Sequence, residues 1–299
     1  MNKSGILIIV SIAAVLTLVG AIMAMPAQNN GTAEHGDLTI LDSDENIVQG
    51  LTLTYKIEDS NGKGSADAKT VVTEVTGNDV KFVNTYNGRW NNETDIGLES
   101  FSKSETLFDY TDSSEIPEGV TVKKEGDSYI INGGYTEEYG IDYTKYTFKD
   151  LIITLDATEA VKSVSGQMTD EYTYTIDDGN YEEFTDVYTY RTENSVLYAD
   201  WEFEGSAHCD ITKDGFFEES VIYAFSPDDY QGAAITESSG KLGGLVVKVY
   251  TVNGEVDTGG LTEKYENYKI YVYGKYIISA SGKIDGDRWR TDITVIIDN

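Results

Sequence analysis

Apolar and polar residues alternate along much of the chain. Between positions 51 and 57, Leu, Leu, Tyr and Ile are separated by Thr and Lys, and the same period of two recurs at 201–209 and 268–273. Successive side chains of a β-strand point to opposite faces of a sheet. The pattern therefore predicts strands that each have one buried face and one wet face.

Glycine-containing turn signals separate these strands. They include Asn132-Gly133, Asp178-Gly179, Asp214-Gly215 and Asn253-Gly254. Asn-Gly and Asp-Gly pairs suit the positive φ angles of tight hairpins. The body is therefore predicted to be all-β, with antiparallel meander sheets that form a sandwich or a curved half-barrel. At most a short helix is expected, at 99–110.

The N-terminus has a different pattern. No charged residue interrupts the apolar run from Ile6 to Met25, which is long enough to span the hydrocarbon core of a bilayer as one helix. Residues 1–27 are predicted to be a retained transmembrane signal anchor, which the length favours, or a cleaved signal peptide. Because the positive flank at Lys3 stays cytoplasmic, the body is expected outside the cell membrane, tethered or secreted.

Three further segments follow the leader. Residues 28–36 are polar and are predicted to be a tether, and the body is divided into two related β-domains, 37–179 and 180–299. Asn30 and Asn92 each begin an acceptor pattern for N-glycosylation, which would be on the outer side in this topology.

An internal duplication is predicted from three pairs of similar segments that occur in the same order. Residues 54–60 resemble 189–195, 75–80 resemble 211–216 at nearly the same offset, and 175–178 resemble 296–299. The alternative is that Thr- and Tyr-rich strands resemble one another by composition alone. If the duplication is real, equivalent strands hold Tyr55 and Tyr190, and likewise Val80 and Phe216.

The charge of the chain excludes one class of partner. There are 52 acidic and 22 basic residues, which give a net charge of −30, and every acidic residue follows the leader. A phosphate backbone would be repelled, so no nucleic-acid binding is expected. The 22 Tyr, 9 Phe and 3 Trp argue against a disordered acidic chain. The charge is consistent with solubility at a cell surface, or with capture of cations or a basic partner.

Catalytic and cofactor motifs are absent from the sequence, which contains no Gly-x-Ser-x-Gly, phosphate-binding glycine loop or His-Glu-x-x-His. His208 and Cys209 are neighbours on a predicted strand and so face opposite sides, with the thiol in the core. No catalytic residue, metal ligand or cofactor is predicted. Acidic turns such as 42–46 suit weak Ca²⁺ binding at most, because Ile47 occupies the position of the loop glycine.

Aromatic residues are the predicted contact residues. Trp90 and Trp289 lie beside turn-like segments, and Tyr271 and Tyr273 share one face of a predicted strand. Flat amphipathic rings can stack on sugars or anchor a protein partner. The alternative interpretation is that these rings stabilise the wet face of a sheet.

The apolar leader, the acidic Tyr- and Thr-rich β body and the related halves together resemble the uncharacterised secreted or membrane-anchored β-proteins of methanogenic archaea. This resemblance implies an exported body and assigns no activity. A more distant likeness is to the curved half-barrel sheets of lipoprotein-carrier proteins, which implies an apolar ligand.

Three functions follow from these observations. The first is a cell-envelope binding or adhesion module that recognises a surface glycan or protein. The second is a carrier of a lipid or other apolar ligand, which a cavity lined by aromatics would favour. The third is a carboxylate-dependent glycan hydrolase, which two close carboxylates in a cleft would favour.

Overall fold

The protein is described by a computed structural model. It covers residues 41, 43–59, 64–93, 98, 101, 106–177, 179–242, 244–257, 262–285 and 287–297. The predicted leader, the tether and Asn30 lie outside these residues. Within the described ranges, no helix is long and apolar enough to cross a membrane.

Antiparallel β-strands make up most of the described chain, which confirms the all-β prediction. A short helix, α1 (Lys213–Glu219), follows the ninth strand. The strands are β1 (Leu51–Asp59), β2 (Gly64–Thr76), β3 (Asp79–Glu93), β4 (Val120–Glu125), β5 (Ser128–Tyr139), β6 (Asp142–Leu155), β7 (Val161–Asp177), β8 (Asn180–Glu193), β9 (Val196–Thr212), β10 (Ala234–Leu242), β11 (Leu245–Asp257), β12 (Thr262–Tyr273), β13 (Tyr276–Ile284) and β14 (Asp287–Ile297).

The chain divides into two compact units. Unit 1 comprises Met1–Asn84 and Asp210–Asn299, and unit 2 comprises Thr85–Cys209. The boundary predicted between residues 179 and 180 coincides with the turn that joins β7 to β8, within unit 2.

Unit 1 contains a meander in which the last strand of the chain pairs with the first. Its strand order is β10-β11-β12-β13-β14-β1-β2, and β14 lies antiparallel to β1. Alternate residues of β12 are buried, with Tyr268 and Ile270 at the centre of the core. Helix α1 packs on this unit through Phe216, whose ring contacts Phe82 edge-on at 5.0 Å.

A buried polar network holds the end of α1 against the strands of unit 1. The Thr70 hydroxyl donates to Asn84 Oδ1 at 2.6 Å, and the Asn84 amide donates to the Glu219 carbonyl at 2.8 Å. The Val221 N–H donates to Thr70 Oγ1 at 3.0 Å. Asn84 therefore joins two strands to the segment that leaves the helix.

Asn84→Ala is expected to lower the free energy of unfolding by about 2 kcal/mol, because the buried Thr70 hydroxyl and the partly buried Glu219 carbonyl each lose a partner. Urea-induced unfolding measures this effect. Thr73→Ala, which removes an exposed hydroxyl bound to the Lys81 carbonyl, is the control and should change stability by less than about 0.5 kcal/mol. Equal effects of the two variants would contradict a structural role for the network.

Unit 2 contains a second antiparallel meander. Its strands lie in the order β9-β8-β7-β6-β5-β4, so each strand pairs with its neighbour in the sequence. Phe148, Leu151 and Ile153 on β6 and Ile131 on β5 form the centre of its core. The described residues 106–110 form bends and a turn, so the short helix expected at 99–110 does not include them.

In the two longer pairs of similar segments, the structure does not place the two partners in equivalent positions. Tyr55 lies in β1 of unit 1, and Tyr190 lies in β8 of unit 2. Val80 lies in a strand, whereas Phe216 lies in helix α1, so their predicted equivalence is wrong. The physical reason is local, since Phe216 and Phe217 are both buried, and a helical turn brings two consecutive rings into the core where a strand would expose one.

Candidate functional site

Unit 2 carries a row of side chains that crosses five strands on one face of its sheet. Each residue of the row lies directly opposite the next, so neighbouring Cβ atoms are about 4.5–5.5 Å apart. From β5 to β9 the row consists of Tyr135, Tyr146, Asp170, Asp186 and Phe203. Two carboxyl groups therefore stand side by side within an otherwise aromatic row.

The two acidic residues of this row are poorly solvated. Asp186 is 3% exposed, and the Trp201 indole N–H donates to its Oδ1 at 2.9 Å. The buried Oδ1 of Asp170 has no hydrogen-bond partner among the described residues. A buried carboxylate without full hydrogen bonding is costly, so this pair favours the protonated state.

Burial changes the acidity of both groups in the same direction. Desolvation, together with the charge of Asp186, raises the pKa of Asp170 to about 7. Desolvation raises the pKa of Asp186 to about 6, although the hydrogen bond from Trp201 partly counteracts the rise. The pair can therefore hold a proton close to neutral pH.

The tyrosines around the pair remain protonated at all ordinary pH values. Burial is the largest cause that raises the pKa of Tyr146, Tyr172 and Tyr188, and the nearby carboxylates raise it further. These side chains therefore surround the carboxyl groups with neutral rings and hydroxyls.

Trp90 belongs to the aromatic wall beside this row and is not a surface residue. It is 6% exposed, and its ring lies 6.3 Å from both Trp201 and Phe203, which are themselves 4.8 Å apart. The prediction that Trp90 is an exposed contact residue beside a turn is wrong. It sits inside β3, where stacking on two aromatic neighbours buries more apolar area than a turn would allow.

An open groove of about 510 Å³ lies within unit 2. Its volume is in the range of small-ligand sites. Hydroxyl, amide and carboxylate groups outnumber the aromatic rings in its walls. The lining residues are Thr85, Tyr86, Asn87, Tyr143, Glu171, Tyr172, Thr173, Glu183, Phe184, Thr185, Glu204, Gly205 and Ser206.

Stacked rings form the apolar part of the groove. Phe184 stacks on Tyr172 at 5.3 Å and on Tyr86 at 6.2 Å. The Phe184 ring also covers Gly205, where an added Cβ would come within 2.2 Å of the ring. Tyr143 is the exposed ring of the groove, so it offers a face to a ligand.

The acidic residues make the groove electronegative. Glu171 pairs with Lys145, while Glu183 and Glu204 add two further carboxylates on the adjacent strands β8 and β9. This charge disfavours anionic ligands and favours neutral or cationic ones.

A smaller pocket of about 280 Å³ lies in unit 1, and its lining contains one lysine and the three carboxylates of Glu74, Asp79 and Asp210. Lys81 is 3.8 Å from Glu74 and 3.6 Å from Asp210. Because the described lining of this pocket includes no aromatic ring, the pocket is a weaker candidate for a ligand site than the groove.

The remaining predicted contact residues lie in unit 1, whereas the groove is lined by unit 2 alone. Tyr271 and Tyr273 are half-buried on β12. Trp289 lies on β14 opposite Asp59 and Gly282, and its side chain lies outside the described part of the chain. Asn92 lies near the end of β3, with its side chain likewise outside it.

His208 and Cys209 do not form a reactive pair. Phe203 and Ala207 are buried on β9, as the alternation predicts, whereas Cys209, which was predicted to lie in the core, is only half-buried. His208 stacks on Tyr181 at 4.3 Å with nearly parallel rings. Among the described residues, no group of three or more His, Cys, Asp or Glu side chains could hold a metal ion.

In comparisons with known proteins, no protein-family model matches the chain, and no curated protein matches its sequence.

Proposed function

We propose that the protein is an extracytoplasmic binding module of the cell envelope, and that the groove of unit 2 binds a neutral or amine-bearing glycan. The observation that carries the proposal is the lining of the groove, which combines an exposed tyrosine ring with hydroxyl, amide and carboxylate groups. Sugar rings present apolar faces to aromatic side chains and hydroxyls to polar ones.

Individual lining residues have suitable roles for such a ligand. Tyr143 supplies a stacking surface, and Glu183 and Glu204 can accept hydrogen bonds from sugar hydroxyls or amines. Thr173 and Ser206 can both donate and accept. Since charge-assisted hydrogen bonds are the stronger ones, the two glutamates are expected to contribute most to selectivity.

The two other functions have less support. A lipid or other apolar ligand would leave the groove hydroxyls and carboxylates desolvated without partners, at a cost of several kcal/mol. Hydrolysis requires a carboxyl group that can donate a proton to the ligand near neutral pH. Asp170 and Asp186 have raised pKa values, but neither residue lines the groove. The groove acids Glu183 and Glu204 are the residues on which a hydrolase would depend.

Tyr143→Ala is expected to weaken binding of purified cell-envelope glycan about tenfold, because a stacking surface is lost, and Glu204→Gln should act in the same direction. Titration calorimetry on the full chain measures both. Tyr271→Ala, in unit 1, is the matched control and should leave affinity unchanged. Loss of binding in the control alone would assign the site to unit 1.

The same samples test for chemistry. Incubation of the glycan with the wild-type chain should release no reducing ends. Release that disappears in both Glu183→Gln and Glu204→Gln would overturn the binding function in favour of hydrolysis.

A further inference from the structure

Exposed apolar side chains concentrate at one end of unit 2. Tyr139 ends β5 and Ile141 lies in the turn to β6, while Tyr174 and Ile176 lie near the end of β7. Ile141 is 80% exposed and Ile176 is 55% exposed. These four residues, here named the tip patch, do not line the groove.

The two hairpin ends are tied together. The Thr175 N–H donates to Asp142 Oδ1 at 2.8 Å, and the Tyr143 N–H donates to Thr173 Oγ1 at 3.3 Å. Since these bonds connect the start of β6 to the end of β7, the tip patch is one surface with a fixed arrangement.

Elsewhere in the described chain, the large exposed apolar residues Val48, Val196 and Val246 occur singly. The two other exposed tyrosines have contacts of their own, since Tyr143 lines the groove and Tyr181 stacks on His208. Single exposed apolar residues are normal on soluble proteins, whereas a cluster marks an interaction surface. The cluster at the tip therefore has the pattern of an interaction surface.

Acidic residues lie next to the tip patch both along the chain and at the paired positions of neighbouring strands. Tyr139 lies opposite Asp142, and Tyr174 lies opposite Glu182. The one basic residue of segments 137–145 and 171–183, Lys145, pairs with Glu171. The acidic residues of these segments are Glu137, Glu138, Asp142, Glu171, Asp177, Asp178, Glu182 and Glu183.

We propose that the tip patch is a docking site for a basic polypeptide segment that carries apolar side chains. Charge complementarity selects this partner, because apolar contact at the centre and an acidic rim match a cationic segment with an apolar face. A second copy of the chain would bring one acidic rim against another. Insertion into a bilayer would strip water from the carboxylates. The four apolar residues of the tip patch are distinct from the lining of the glycan groove, and Glu171 and Glu183 lie between the two.

Two peptides of equal charge test the proposal on the full chain. One alternates Lys and Leu, and the other contains Lys alone with the same number of lysines. We expect the Lys-Leu peptide to bind at least tenfold more tightly in fluorescence anisotropy. The double variant Ile141→Asp/Ile176→Asp should lose this advantage, and Val246→Asp, which adds a charge at the 68% exposed residue of unit 1, should keep it.

Each contrary result overturns the proposal in a different way. Equal binding of both peptides to the wild-type chain, or an advantage that survives the double variant, would show that the patch takes no part. Patch-dependent binding to phosphatidylcholine vesicles would assign the surface to lipid. A dimer in sedimentation that the double variant dissociates would assign it to a second copy. Because the double variant leaves the groove intact, its glycan affinity reports separately on the groove function.

Discussion

Asp170→Asn is expected to make the folded protein more stable at pH 8, by about 2–4 kcal/mol. In the wild-type protein, the buried carboxyl of Asp170 faces that of Asp186 across two paired strands, and its pKa is about 7. Above this pH both groups are charged at close range in a poorly solvated site. A neutral amide removes one charge and can donate a hydrogen bond to Asp186.

The sign of the pH dependence follows from proton linkage. An unfolded aspartate has a pKa of about 3.9, and both carboxyls of the pair have a higher value in the folded state. Between pH 4 and 7 the folded state therefore binds more protons than the unfolded state, so the free energy of unfolding falls as the pH rises. Below pH 4 both states are protonated, and the stability associated with the pair is fully present.

Urea unfolding at pH 5, 6, 7 and 8 measures this dependence. The difference between the wild-type chain and Asp170→Asn should grow over this range, and taking the difference cancels the repulsion among the other acidic groups. Asp156→Asn is a control of opposite sign, because hydrogen bonds from Thr158 and Ala160 lower the pKa of Asp156. That variant should be less stable than wild type at pH 7, and the deficit should vanish as the pH falls through the lowered pKa. An Asp170→Asn variant less stable at pH 8 would refute the buried-charge account.

The alternation of apolar and polar residues predicted the strands well. Tyr268, Ile270 and Val272 are buried on β12, and Phe203 is buried on β9. The rule works here because each sheet has one face in a core, so that burial repeats every second residue.

Glycine signals were less informative, because a positive φ angle serves several structures. Gly179 lies in the turn between β7 and β8, as a hairpin signal should, and has a positive φ. Gly133 and Gly254, however, lie inside β5 and β11, where the strand register shifts. Gly215 lies inside helix α1. The predicted turns at these three positions are wrong, since a residue pair alone does not distinguish a turn from a bulge.

The burial of Asp170 could have been found from the sequence, but its pairing with Asp186 could not. Met168, Asp170 and Tyr172 share one strand face, so an acidic residue occupies a position that the alternation assigns to the core. The Asp178-Gly179 signal indicates a two-residue turn that would place Asp170 opposite Val187, and the register shift between Thr175 and Asp177 places it opposite Asp186 instead. The burial of Trp90 could not have been found in this way, because it depends on contacts with β9, far along the chain.

A β-bulge between β6 and β7 makes stability sensitive to substitution at Gly166. The register shifts between Lys149 and Ile152, and Asp150 adopts a positive φ of 46°. The Asn132 side chain accepts a hydrogen bond from the Asp150 N–H at 2.8 Å. Opposite this bulge, Gly166 has a φ of 111°, and a Cβ added there would lie 2.1 Å from the Asp150 carbonyl oxygen.

Gly166→Ala is expected to lower the free energy of unfolding by about 3 kcal/mol or more. The unfavourable φ accounts for about 1–2 kcal/mol, and the backbone clash requires β6 or β7 to shift beside the fully buried Leu151. Gly126→Ala is the matched control in unit 2, because Gly126 has a φ of 61° and nothing within 4 Å of the added Cβ. Gly126→Ala should lower the free energy of unfolding only by the cost of the positive φ, because it causes no clash. Equal losses in urea unfolding would show that the close approach of Gly166 to the bulge contributes nothing, whereas a larger loss at Gly166 would show that the bulge requires a residue without a Cβ on the facing strand.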